Sequence, residues 1–528
     1  MNSCAQFPTV LMLTLVISYS TTSHQDFPDL NLPPDHLVRY FNAFPSLRDK
    51  CHETDTCPYD KILKNASNRN ACWGHEASCN PPNNFQTPQC LGDHTGWVQN
   101  KQTQLDTFFY QADFGYIKQQ ISELTVMCEP TYREDSSLEC SKYLRFCRGR
   151  NIIMNFRDLS KRNDLIRYNM DVLSQGQIGG HCRFHRKRLM NETEHMGALQ
   201  SWAPELRYFE EKEFRPITDD GKCDIVVEKP TYIMKIDANY NMYHHFCDFI
   251  NLYASLFVNQ SHPLAFHTDT QIIIWESYKY ESPFAETLKA FTSNPVWNLD
   301  NVRGKVVCFK NLVLPLLPRM IFGLYYNTPI IYGCEKSGLF RAFSEFITHR
   351  LQIPMHSKIN SKIRITFLSR KTKYRQVLNE DELIKTISSN ENYFVRRISF
   401  ERGIPFSEQL QIIRNTDILI GMHGAGLTHL LFLPNWATIF ELYNCEDPNC
   451  YKDLARLRGV NYLTWKDQSK LKTKDEENQQ KGGAHAKFVN YEFDPEEFAE
   501  LVSNAAELVS SHDEFKVYSE KSSKHDEL

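Results

Sequence analysis

From about residue 150 onward, short runs of consecutive apolar residues alternate with longer stretches whose apolar residues recur every three to four positions. The runs predict strands at 224–227, 232–236, 271–275, 305–309, 363–368, 417–420, 438–442 and 461–465. The longer stretches predict helices at 243–257, 337–350, 379–389, 406–414, 425–432 and 494–511. Strands that are apolar at every position are buried on both faces, as in parallel sheets covered by helices. The pattern therefore predicts an α/β fold. The alternation falls into two blocks, 224–335 and 361–512, and no internal repeat is present.

Before residue 150 the periodicity is poor. Residues 51–147 hold eight cysteines: Cys51, Cys57, Cys72, Cys79, Cys90, Cys128, Cys140 and Cys147. With Asn80-Pro81-Pro82-Asn83-Asn84 among them, they predict a loop-rich region stapled by disulfides. Zinc is the alternative, but no Cys-x-x-Cys pair occurs there. The chain thus divides into a signal segment (1–23), a cysteine-rich region (24–150), a first α/β lobe (151–335), a second α/β lobe (336–512) and a tail (513–528). Polar residues 469–483 read as a surface loop and 510–524 as a flexible tether. Cys445 and Cys450 are spaced for a local disulfide.

Both ends lead to the expectation of a chain in the endoplasmic reticulum lumen. Residues 7–17 form an apolar run of signal-peptide length, too short to span a membrane. The final His525, Asp526, Glu527 and Leu528 match a retrieval address read by a receptor. Deleting 524–528 should release the protein into the medium without harming its chemistry. Sixteen cysteines suit that compartment; without Cys4 of the signal segment the number is odd, so one thiol is left over or pairs between chains. Sequons begin at Asn65, Asn191 and Asn259. Hydrophobic content of 41% fits a soluble protein, and no later apolar run has the length of a membrane span. A net charge of −4 gives no electrostatic case for nucleic acid or an anionic membrane.

Three constellations carry candidate chemistry. In the first, a strand ends at Gly421, a turn holds His423, Gly424, Ala425 and Gly426, and a helix begins with Leu427, Thr428 and His429. Glycines admit close backbone approach and a helix start offers N–H groups to phosphate; a packed strand-to-helix turn is the other reading. The second is 237–248, where His244 and Asp248 share a helix face at i and i+4. They suit a general base, a metal site with Cys247, or an ion pair fixing the helix start. The third is Arg370 at a strand end, followed by Arg375, Asn379 and Glu380. A forked guanidinium fits phosphate, and a solvated basic loop is the alternative. Glu441, inside a strand, binds a ribose or sugar hydroxyl if it faces the cleft, or is an exposed strand position.

These constellations, in this order, resemble a glycosyltransferase family. The matching residues are Asn241, His244 and Asp248, then Ser369-Arg370 with Arg375, Asn379 and Glu380, then Gly421-Met-His-Gly-Ala-Gly-Leu-Thr-His429. That family holds plant xylosyltransferases and animal protein O-mannose β1,4-N-acetylglucosaminyltransferase. Closer still is its branch of O-linked N-acetylglucosamine transferases acting on EGF domains. The stretches 421–434, 441–447, 453–459 and 339–343 carry that likeness.

The resemblance implies a GT-B-like pair of Rossmann-type lobes with UDP-N-acetylglucosamine between them. It implies inverting transfer to Ser or Thr of folded EGF-like domains, in Notch-type receptors and matrix proteins. Asp248 or His244 would be the base or its orienter, and Arg370, Arg375 and the turn from His423 to His429 would hold UDP. Relatives carry Asp-Tyr-Asp before the strand containing Cys308; here residues 291–296 read Phe-Thr-Ser-Asn-Pro-Val, and no Asp-x-Asp occurs anywhere. A Mn²⁺–diphosphate bridge is therefore disfavoured, and protein groups are expected to neutralise the leaving group. Two rival readings are a related transferase with another acceptor, and a lumenal lectin or chaperone without chemistry.

Overall fold

Apolar strands at the expected positions assemble into two large sheets. The computed structural model describes residues 27–523 apart from 96–97, 161–171, 260–263, 322, 326–332, 357–361, 402, 443–448 and 475–487. The signal-length run, the final tetrapeptide and Cys445 lie outside these residues.

The first sheet has eleven strands. Its parallel part orders Trp297–Asn298, Gln271–Ile274, Thr231–Met234 and Val306–Leu314 side by side. Val306–Leu314 then pairs antiparallel with Cys147–Asn155, and the sheet continues through Ser137–Cys140 and Thr125–Glu129. This antiparallel wing departs from the expected all-parallel pattern. Glycine, arginines and cysteines interrupt its apolar runs, and the Cys140–Cys147 disulfide joins two residues in register across it. The second sheet has five strands, all parallel, in the order Tyr393–Ile398, Ile363–Leu368, Ile418–Met422, Thr438–Leu442, Asn461–Thr464. The edge strand Tyr393–Ile398 was not legible, because Arg396 and Arg397 break its apolar run.

The helix Met242–Val258 is buried along almost its whole length. Asn241 caps it by accepting from Tyr243 N. Towards its start, Phe246 packs on Phe406 and Phe432 beside the second sheet; at its far end, Phe257 meets Trp73 and Phe114 of the cysteine-rich region. Each such ring contributes roughly 1.5–3 kcal/mol when fully buried. One continuous core therefore joins front region, first sheet and one face of the second. The helix Pro495–Ser511 covers the other face of the second sheet.

Several expectations are corrected. The described residues of 54–100 are mostly loop, as expected, but Lys101–Ala112 and Phe114–Ser122 are helices, and Pro34–Ala43 and Pro45–Glu53 form two more ahead of that stretch. Buried Leu37, Tyr40 and Phe41 sit on a helical stripe that the surrounding Pro and Asn obscured. Six disulfides form among the described residues, and three reach beyond residue 150: Cys90–Cys334, Cys128–Cys182 and Cys223–Cys308. Cys72 and Cys79 are bonded to each other, so they are not thiolate ligands. Part of the predicted loop at 469–483 is a strand, Leu471–Lys474, paired with Asn490–Phe493. The predicted tether is largely a helix, Asp513–Ser523, held where Phe515 packs on Trp436. No helix among the described residues is long and apolar enough to cross a membrane.

Candidate active site

In the second sheet, the first strand in sequence lies between the second and the third. Connections leave it in opposite directions, so a crevice opens beyond the carboxyl ends of Ile363–Leu368 and Ile418–Met422. Open α/β sheets bind ligands at such a switch point. Here the residues emerging there are Ser369-Arg370 and His423-Gly424-Ala425-Gly426. Of these, Ser369, Arg370, Ala425 and Gly426 line a cavity of about 1090 Å³, whose other wall is Tyr240, Met242 and 281–284.

Two guanidinium groups meet at this crevice. Arg370 donates from Nε to Tyr374 O at 3.0 Å. Its Nη1 lies against Gly424, where any Cβ would collide with it. Arg375 adopts a left-handed backbone (φ 59°) and donates from Nη1 to His423 O at 2.9 Å; its buried Nε has no partner among the described residues. Neither arginine forms an ion pair among the described residues, whereas Arg364, on the strand that leads to Arg370, is paired with Asp417. Burial, then the Arg375 charge, pulls Arg370 down to about 10, still protonated at neutral pH. Two neighbouring cations without a carboxylate have the electrostatics of an anion site. Below them, Ser369 Oγ donates to Glu380, and Asn379 Nδ2 donates to Phe493 O, bracing the strand end.

The glycine turn runs into a 3₁₀ helix, Ala425–Phe432, rather than an α-helix. Ala425, Gly426 and His429 line the cavity. Leu427 and Thr428 do not: both are buried in the core. His429 Nδ1 donates to Gly426 O at 2.7 Å, and burial lowers its pKa to about 4, so it is a neutral wall. Glu441 is 1% exposed and does not reach the cleft. Its carboxylate accepts from His423 Nδ1 at 2.5 Å and from Tyr462 Oη at 2.6 Å. Its role is to orient His423, whose carbonyl in turn orients Arg375.

Across the cleft, the expected pairing of His244 with Asp248 is corrected. Asp248 is 3% exposed, accepts from Asp237 N at 3.2 Å and pairs with His245 Nδ1 at 2.8 Å. It is an anchor behind the wall and cannot touch an acceptor. His244 pairs instead with Asp237, its Nδ1 lying 3.1 Å from Oδ2. Arg319 Nε donates to the same oxygen at 2.8 Å. Although burial opposes ionisation, His244 and Arg319 hold the Asp237 carboxyl down at about 2. His244 Nδ1 thus lies 3.1 Å from the Asp237 carboxylate and 3.1 Å from Arg319 Nη2, and a ring N–H turned toward the carboxylate would leave Nε2 as the proton acceptor. The His244 side chain is 24% exposed against 0% for His245, and it stands two residues along the helix from Met242 of the cavity wall, outside the lining itself. On a helix, i+3 and i+4 are equally near in angle, which is why spacing selected the wrong partner. His244, Cys247 and Asp248 do not converge as metal ligands: Cys247 Sγ points to Pro318 O at 3.3 Å. Asp237 and His245 lie inside the 237–248 constellation without a role assigned to them there, and Tyr280 and Arg319 had no motif to mark them.

The family described as Glycosyltransferase 61 matches residues 242–440, which span both walls of this cleft. A protein of Drosophila melanogaster is 63% identical over 486 residues, 92% of each chain. One of Mus musculus is 46% identical over 506 residues, 95% of this chain and 93% of its own. One of Gallus gallus is 45% identical over 512 residues, 94% and 93% respectively. All three carry the name EGF domain-specific O-linked N-acetylglucosamine transferase.

Proposed function

The chain belongs to the EGF domain-specific O-linked N-acetylglucosamine transferases of glycosyltransferase family 61, and from that premise we propose that it transfers N-acetylglucosamine from UDP-N-acetylglucosamine to Ser or Thr of folded EGF-like domains. The two sheets act as GT-B-like lobes with the donor between them. Extracellular receptors of the Notch type and matrix proteins are the acceptors that carry such domains. The six disulfides support an oxidising compartment, the endoplasmic reticulum lumen.

The observation that carries the reading is the Arg370–Arg375 pair against the Gly424 turn, with no carboxylate paired to either among the described residues. A sugar diphosphate supplies the missing negative charge. In the reaction the acceptor hydroxyl attacks the anomeric carbon from the face opposite UDP. His244 Nε2 takes the hydroxyl proton, and Asp237 stabilises the imidazolium that results. The bond to UDP breaks, and the charge growing on the diphosphate is met by both arginines in place before the step begins. The segment 291–296 contains no carboxylate, and its Asn294 is engaged with Asp269 and Thr270 O. Those residues do not fit a divalent cation, so no step is assigned to one.

The test is mass spectrometry of a folded EGF-like domain after incubation with this protein and UDP-N-acetylglucosamine, with and without chelator. One added N-acetylhexosamine in both arms is expected. No transfer, with UDP released no faster than background, favours a lectin; transfer only to another glycan acceptor favours a different substrate.

A further inference from the structure

We propose that His245 and Tyr280 are positioning residues for the acceptor, fixing segment 278–284 as the cleft wall that faces Arg370. The proposal rests on the reading of the cleft as a transferase site. It begins inside the helix Met242–Val258, where His245 is fully buried. The Asp248 carboxylate, 2.8 Å from His245 Nδ1, makes that nitrogen the N–H donor. Burial keeps the imidazole neutral, its pKa down at about 3. Nε2 is therefore an acceptor, and the Tyr280 hydroxyl donates to it at 2.6 Å. Without that hydroxyl, a buried ring nitrogen would lose its donor.

Beyond Tyr280 the chain crosses the cleft and is tied twice more. Asn239 Nδ2 donates to Glu281 O, and Ser282 Oγ donates to Asn239 O, each at 2.6 Å. Glu286 then accepts from Ser407 N at 2.8 Å, in the first turn of the helix Phe406–Arg414 beside the second sheet. The wall is thus registered to a buried helix, to the loop carrying Tyr240, and to the opposite lobe. None of these ties involves a group that would touch the diphosphate.

Geometry assigns this wall to the acceptor. The arginines and the glycine turn occupy the opposite side, so the anomeric carbon lies between the two walls. In-line attack from the face away from UDP brings the hydroxyl in from the first-sheet side. A folded domain is too large to enter the cavity and must rest on its mouth. Tyr240, 59% exposed and lining that mouth, offers an aromatic surface for it.

The experiment compares wild type, Tyr280→Phe and Tyr240→Ala by steady-state kinetics with a folded EGF-like domain, together with UDP titration. Each variant should raise the acceptor KM about five- to tenfold while kcat stays within about twofold. The donor KM and the UDP dissociation constant should not move. An acceptor KM unchanged in both variants overturns the proposal, as does an equal rise in the donor KM. If Tyr280→Phe does not fold, the surface variant Tyr240→Ala decides. A wild type that transfers nothing would sink the transferase reading itself, whereas normal acceptor KM beside an active wild type sinks only the positioning role.

Discussion

The guanidinium of Arg370 rests on the Cα of Gly424, in the space a side chain would need. Gly424→Ala should push Arg370 off the crevice and lower kcat/KM about a hundredfold, as Arg370→Ala should. UDP affinity, measured by calorimetry, should fall in both while the melting temperature changes little. Normal UDP binding in either variant would remove the proposed clamp.

His244 and Asp248 should separate by the kind of damage they cause. His244→Ala should cut turnover by about 10²–10⁴-fold with UDP binding intact. Asp248→Asn leaves its buried contacts poorly matched, so it should act chiefly through stability, lowering the melting temperature. Turnover per folded molecule should survive better than in His244→Ala. The reverse ranking would place the base at Asp248.

Glu276 gives a pH-dependent stability. It is buried just past the strand Gln271–Ile274, with Oε2 lacking a partner among the described residues. Burial raises its pKa from 4.5 to about 7. Folding therefore favours the protonated form: no stability is lost below pH 4.5, and stability falls as pH rises through 7. Glu276→Gln should gain about 1–2 kcal/mol at pH 8 and nothing at pH 4.5. Chemical denaturation at the two pH values checks this; an equal effect at both would exclude titration as the cause.

The three sequons should not behave alike. Asn65 and Asn191 are exposed, whereas Asn259 is 7% exposed and its Nδ2 donates to Tyr232 Oη at 3.2 Å. Protein recovered from a secretory cell should carry glycans at Asn65 and Asn191 only. Peptide mapping after enzymatic deglycosylation in heavy-oxygen water reads each position, and a glycan at Asn259 would contradict the placement.

Most parallel strands could be read from the sequence because apolar β-formers dominate them, as in Gln271–Ile274 and Ile418–Met422, and the edge strand Tyr393–Ile398 is the exception. The antiparallel wing could not, since Cys147–Asn155 begins with Cys-Arg-Gly-Arg and owes its place to partners distant in sequence. The same division holds in the site. Arg370 and Gly424 were legible because glycine and arginine at strand ends have few other uses. The true partners of the histidines were not: Asp237 and Tyr280 reach them through loop geometry that spacing along one helix does not encode. The burial of Glu441 is not legible either, because alternation along a strand cannot tell which face is wet.

The Cys90–Cys334 bridge, spanning 244 residues, sets a clock on biosynthesis. At 5–20 residues per second, a ribosome needs about 12–50 s to bring the second thiol out after the first. Cys51–Cys57, Cys72–Cys79 and Cys140–Cys147 span 6 or 7 residues and can close almost as they emerge. Throughout that interval Cys90 waits beside competing thiols. It must be kept reduced or held in a temporary bond that is later exchanged. Productive synthesis of this chain is therefore tied to the supply of a disulfide isomerase, and starvation for that helper should show first as failure to join Cys90 to Cys334.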